Sequence, residues 1–295
     1  MAFVRAILGL CFAAAGFLVI DGEGKGYRTG QEVYESIEAV CVIRESEMEN
    51  IWNNTKSVWE ETGTLEESRR EKSAKETEEN ERTERESTFA ETGEERPETK
   101  EQPDTSRICQ VNFQMLQEIN PEVVAWIEIP GTRVSYPVLF RYGDTDFYLT
   151  HLANGEEGKQ GAIHIDGKGK AGIESRNVLI YGHNLLDYSM FSSLHSYKKE
   201  DFYQAYPYIY LHMPDGTKRQ YRIAACMVTE GIANEWYRYA FEDDIAVQEY
   251  YDCFRQKSLY DTGTRLNACE GRQTILLSTC YRRQYRRLIL AVRQY

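Results

Sequence analysis

From Glu45 to Ser106 the chain runs for 62 residues almost without apolar side chains, as in "EESRREKSAKETEENERTERESTFAETGEERPETKEQPDTS". Such a stretch cannot bury enough surface to offset chain entropy, so it is expected to be disordered. Whatever folds must be built from what lies outside it. Interspersed Glu and Lys/Arg support transient helix through i,i+4 pairs, but Thr, Ser, Gly and Pro oppose a stable one. As a coil the stretch would span roughly 40–45 Å, enough to hold a folded domain clear of a surface. It also explains the net charge of −12. Residues 107–295 carry 22 basic and 22 acidic side chains, whereas the first 106 carry 13 and 25. The neutral C-terminal part lacks the basic patch that binds nucleic acid. Arg282, Arg283, Arg286 and Arg287 are too local for one, and no aromatic RNA-binding motif accompanies them.

The N-terminus, "MAFVRAILGLCFAAAGFLVIDGEGKG", holds an uncharged run from Ala6 to Ile20 between Arg5 and the acidic Asp21 and Glu23. Counted from Ala2 with Arg5 snorkelling, it gives roughly 27–28 Å of helix, just enough for a hydrocarbon core of about 30 Å. Cleavage after Ala13-Ala14-Ala15 is the rival, but Phe17 to Ile20 continue the apolar run that a cleavage site normally ends. Residues 1–20 are therefore expected to be a single-pass anchor in the cell membrane. The positive charge before the span orients its N-terminus inside and the rest outside. Residues 21–44 form a juxtamembrane segment with a short helix from about Gln31 to Val42, 45–106 the acidic spacer, and 107–295 the folded domain. The seven cysteines (11, 41, 109, 226, 253, 269, 280) are odd in number and form no C-x-x-C pair, which argues against zinc. An odd count leaves one thiol free in an exported protein, and Cys280 is the candidate.

Within 107–295, Val111, Met115 and Ile119 lie four apart with Phe113 and Leu116 nearby, an amphipathic helix. "NPEVVAW" supplies an Asn cap and Pro at the first position of a second short helix. "WIEIPGTRVSYPVLF" alternates on both sides of a Pro130-Gly131 turn, giving two short strands. Further strands are expected at 161–165, 177–181, 208–212, 220–230, 274–279 and 288–293, with "MPDG" at 213–216 a turn and a helix over 243–259. Many short strands with a few helices indicate a mainly β fold, a barrel or sandwich with helical insertions.

Three residue types stand out. Cys280 ends an apolar strand, His183 follows another in a Gly-His-Asn turn, and arginines come between Cys280 and the last strand. Singly, each has an ordinary explanation as a small buried residue, a loop residue or solvated charge. Together they supply a nucleophile, an acid/base and an oxyanion donor, the set that acyl transfer through a thioester needs. The remaining histidines (151, 164, 195, 212) lack carboxylates at metal-ligand spacing and read as surface or packing residues; no metal or other cofactor is expected.

These residues carry a resemblance. "LSTC" at 277–280 resembles the Leu-x-Thr-Cys signature of sortases, the membrane-anchored transpeptidases of Gram-positive bacteria. "NVLIYGHNLLDYSMFSSL" resembles the histidine region of class B, and "INPEVVAWIEIPGTRVSYPVL" its entry to the barrel. The match covers about residues 110–295, and the helix at 243–259 is similar to the insertion that separates class B from class A. The resemblance implies a closed eight-stranded barrel with N-terminal helices and a helical insertion between late strands. It implies Cys280 as nucleophile, His183 as general acid/base and an arginine before the last apolar run as oxyanion stabiliser. "RLILAV" puts Arg287 in that place, and strand alternation would turn its competitor Arg286 to the opposite face. Ser278, Thr279 and Leu149 (in "FYLTH") are the expected substrate contacts, with Tyr181 and Asn184 structural.

An ordinary thiol is only about 3% thiolate at pH 7, and a nearby imidazolium and guanidinium raise that fraction. The implied partners are secreted proteins bearing a C-terminal sorting signal, cleaved after Thr, and an amine of a lipid-linked peptidoglycan precursor. A pilin lysine as acceptor, an exported cysteine hydrolase using water, and a non-catalytic display barrel remain alternatives. An L,D-transpeptidase is disfavoured because its histidine and cysteine lie much closer together than 183 and 280.

Overall fold

A computed structural model describes residues 30–47, 108–230, 235–281 and 285–294. The anchor expected at 1–20 and most of the acidic stretch lie outside them. Among the described residues no helix is long and apolar enough to cross a membrane.

The strands close into an eight-membered barrel in the order β10-β8-β7-β3-β4-β5-β6-β9, separate from a two-stranded ribbon, β1-β2. The ribbon is Val42–Arg44 with Ile108–Val111. The barrel comprises β3 Val123–Glu128, β4 Ser135–Leu139, β5 Ile163–Ile165, β6 Asn177–Tyr181, β7 Tyr208–His212, β8 Lys218–Glu230, β9 Thr274–Tyr281 and β10 Tyr285–Arg293. It is accompanied among the described residues by the α-helices α1 Gly30–Cys41, α2 Phe113–Ile119, α3 Glu200–Ala205 and α4 Asp244–Lys257. The mainly β barrel with helices before it and a helix between late strands is thus present.

Side-chain alternation on β9 and β10 creates two apolar layers. Ile275, Leu277, Ile289 and Ala291 join Trp126, Val138, Ile163 and Cys226 in the larger cluster, which continues under α1 through Val33, Tyr34 and Ile37. Leu276, Leu288 and Leu290 face the other way and are covered by Val247, Tyr250, Tyr251 and Phe254 of α4. That helix starts where Asp243 accepts from the Ala246 N–H at 2.8 Å and ends on Arg255 and Lys257, charges that suit its C-terminal dipole. Each fully buried Val or Phe of this kind contributes about 1.5–3 kcal/mol.

Two expectations change. "NPEVVAW" opens no second helix. Asn120 instead ends α2, its backbone N–H bonding to the Leu116 carbonyl, while its side chain accepts from Glu122 N at 3.0 Å. The β-branched Val123-Val124 then enter a ladder between β4 and β7, and sheet pairing overrides the Asn-Pro signal. Val111, read as the first turn of α2, lies in β2 instead. Residues 30–43 belong to the same compact unit as the described residues from 108 onward, and the Cys41 carbonyl accepts from Asn112 N at 2.8 Å, beside the β1-β2 ribbon. Of the chain's second unit, residues 44–47 are described, with the Arg44 N–H donating to the Glu47 carboxylate at 3.0 Å.

Candidate active site

β6 and β9 are parallel neighbours, in register from Asn177 opposite Thr274 to Tyr181 opposite Ser278. Past the last pair, Gly182 N still donates to the Ser278 carbonyl at 3.2 Å. His183 and Cys280 each lie two residues beyond that pair, so they share a side of the sheet on strands about 4.8 Å apart. On the other flank of β9, β10 pairs Arg286 with Cys280, and cross-strand partners project from the same face. Imidazole, thiol and guanidinium thus come from three adjacent strands, in one transverse row. All three line a cleft of about 270 Å³, and so do Leu149, Ser278 and Thr279. Cys280 is exposed and its thiol is free.

The two candidate arginines are placed on opposite faces. Arg287 pairs with Thr279 and points into the barrel, where it is 1% exposed. Its guanidinium lies 3.6 Å from the Cys226 sulfur and 5.2 Å from the Tyr281 ring centre. Arg286, half-buried and bonded through Nη1 to the Tyr285 carbonyl at 3.0 Å, is the one in the cleft. Strand parity separates the two, because Cys280 and Arg286 are direct partners and Arg287 is one residue out of phase.

His183 is half-buried and its Nε2–H donates to the Leu149 carbonyl at 2.8 Å. Because a carbonyl can only accept, this bond places the proton on Nε2 and leaves Nδ1 with its lone pair when the ring is neutral. Leu149 sits at the end of a 3₁₀ turn, 38% exposed, with its side chain available to a ligand. The Ser278 hydroxyl is paired with the Tyr237 hydroxyl at 3.0 Å. Thr279 is 2% exposed, and its hydroxyl is buried without a partner among the described residues. Asn184 forms a bridge to Met190 that closes the loop after His183.

Several cleft residues escaped the sequence. Asp166, just past β5, is 5% exposed and accepts from the Tyr181 hydroxyl at 2.9 Å, Thr145 Oγ1 at 3.2 Å and Lys168 N at 2.8 Å. Burial, reinforced by that carboxylate, pushes the Tyr181 phenol well above its ordinary range. Burial likewise raises the Tyr237 phenol, against the bond to Ser278 and the Arg286 charge. His164 lines the same cleft at 2% exposure, Nδ1–H donating to the Ala162 carbonyl at 2.8 Å; burial lowers its pKa. "IHID" and "NEWYRYAF" carry no spacing that marks these residues, since only the folded chain brings them into one cleft with His183. Elsewhere, His212 pairs with Glu128 at 3.0 Å, His195 is half-buried with its ring 5.1 Å from Tyr281, and His151 stacks on Phe147. Among the described residues no three His, Cys, Asp or Glu side chains group as metal ligands.

Comparison with known proteins places this geometry. A model of the sortase domain matches residues 127–294. Sortase B of Listeria monocytogenes is 30% identical over 166 residues, 56% of this chain. The match covers 65% of that protein, so this chain spans just under two thirds of its length. A Staphylococcus aureus sortase B–substrate complex superposes with a TM-score of 0.56 at 27% identity, covering 62% of this chain and 84% of that one. Sortase B of Clostridium perfringens gives 0.57 at 27% identity, covering 62% of this chain and all of the other.

Proposed function

Since the chain belongs to the sortase family, in its class B, we propose that it is a membrane-anchored cysteine transpeptidase that works through Cys280, His183 and Arg286. The Cys280 sulfur attacks the backbone carbonyl carbon of a threonine in a C-terminal sorting signal. The resulting oxyanion is met by the permanently charged Arg286. His183 gives a proton to the departing amine as the C–N bond breaks, leaving a thioester on Cys280. An amine of a lipid-linked cell-wall precursor then attacks the thioester. His183 accepts its proton, a new amide forms and Cys280 leaves as the thiolate, which restores the starting pair of thiolate and protonated His183. Leu149 and Ser278 contact the signal peptide by side chain and Thr279 by backbone, because its side chain faces inward. No step needs a metal or cofactor. Residues 1–20 hold the enzyme on the membrane, N-terminus inside, with the barrel outside.

The row of His183, Cys280 and Arg286 on three neighbouring strands around an open cleft carries this reading. The test is mass spectrometry of the protein mixed with a library of threonine-containing sorting peptides. An acyl adduct on Cys280 is expected, to be discharged by an added amine into a new amide. Cys280→Ala and His183→Ala are each expected to abolish it. An adduct on another cysteine, or free acid as the sole product with amine in excess, would sink the proposal.

A further inference from the structure

We propose that Tyr34, on the helix that precedes the acidic stretch, is a positioning residue for His183. The inference rests on the role given to His183 above. Tyr34 is 3% exposed and lies 127 residues away in sequence from the loop it holds. Its hydroxyl donates to the Gly161 carbonyl at 2.6 Å and accepts from Ala153 N at 3.1 Å. It therefore ties together two points of the loop between β4 and β5, the loop that also contains Leu149.

Gly161 is where the tie reaches the imidazole. Its φ of +57° suits glycine. A Cβ there would lie 2.5 Å from the Tyr148 carbonyl oxygen, 2.8 Å from the Leu149 carbonyl oxygen and 3.0 Å from His183 Cδ2. The backbone at Gly161 is thus packed against both partners of the His183–Leu149 hydrogen bond, with no slack to absorb a shift. On the far side the loop is held independently. Tyr148 donates to Glu122 and accepts from Asn120 Nδ2 at 3.0 Å, and Arg141 pairs with the same carboxylate at 2.9 Å. With one side so fixed, the position of the Leu149 carbonyl depends on the side that Tyr34 holds. That carbonyl selects the Nε2–H form and aims Nδ1 at the cleft. The helix nearest the membrane is in this way part of what aligns the acid/base.

The experiment compares the full chain with Tyr34→Phe, which keeps the buried ring and removes both hydrogen bonds. Tyr203→Phe, whose hydroxyl bonds to the Thr262 carbonyl at 2.8 Å outside this loop, is the control for a general loss of stability. The readout is the ¹⁵N spectrum of the histidine rings, which reports the tautomer of His183 in the neutral state. Gly161→Ala gives the same displacement from the opposite direction. Tyr34→Phe and Gly161→Ala are expected to mix the two tautomers and to lower kcat/KM for the sorting peptide about tenfold. Tyr203→Phe is expected to leave both unchanged. A His183 spectrum in Tyr34→Phe identical to the parent, or an equal change in Tyr203→Phe, overturns the inference. Retained acyl transfer in His183→Ala overturns both this inference and the site assignment. Loss of transfer there, with an unaltered imidazole spectrum in Tyr34→Phe, overturns this one alone.

Discussion

Replacing Arg286 or Arg287 by methionine separates two neighbouring arginines by what each is for. Arg286 is half-buried, and its guanidinium bonds only to the carbonyl of the residue before it among the described hydrogen bonds. Arg286→Met should therefore change stability by no more than about 0.5 kcal/mol. Losing an oxyanion donor from the cleft costs about 3–4 kcal/mol of transition-state stabilisation, a fall in kcat of about 10²–10³-fold. Arg287 presents the opposite case. It is 1% exposed, with a sulfur at 3.6 Å and an aromatic ring as its neighbours, and it forms no ion pair among the described residues. A methionine of similar length fills the same space without a charge to desolvate, so Arg287→Met should be neutral or stabilising. Its acyl transfer should stay within a few-fold of the parent. Urea unfolding midpoints and the rate of Cys280 acylation measure the two effects on the same samples. An inactive Arg287→Met beside an active Arg286→Met would refute the argument from strand parity.

Glu128 is buried, which opposes its ionisation, but the hydrogen bond from His212 and the charge of Lys218 together outweigh that and hold its carboxyl below the usual range. A lowered carboxyl contributes stability above the ordinary value of about 4.3 that is lost as pH falls through its own value; Glu128→Gln should therefore be less stable at pH 6 and show a flatter decline below pH 4 in urea midpoints. A chain starting at residue 107 leaves the barrel without Val33, Tyr34, Ile37 and Val40, apolar side chains worth about 1.5–3 kcal/mol each when buried. Its melting temperature should fall well below that of a chain starting before residue 30, and equal melting would show that α1 contributes nothing.

The parts of the fold legible in the sequence are those where local pattern and tertiary demand agree. β6 and β7 occupy the residues that their apolar runs mark, 177–181 and 208–212, and α4 falls inside 243–259. Cys280 and His183 could be picked out because each ends such a run. Arg287 could not be told from Arg286 by pattern, because which of the two faces the cleft depends on the pairing of β10 with β9 and so on how the chain crosses 282–284. "NPEVVAW" misled because its helix signals are local, whereas its strand partners lie at 135–139 and 208–212. Asp166 and Tyr237 left no signal at all, since only the folded chain brings them to the cleft.

The β1-β2 ribbon pairs Val42–Arg44 with Ile108–Val111 across the long acidic stretch of the sequence. Loop-closure entropy grows only slowly with length, by about 0.6 kcal/mol for each doubling. The number of residues between the two strands should therefore be free to change with little effect on the stability of the barrel.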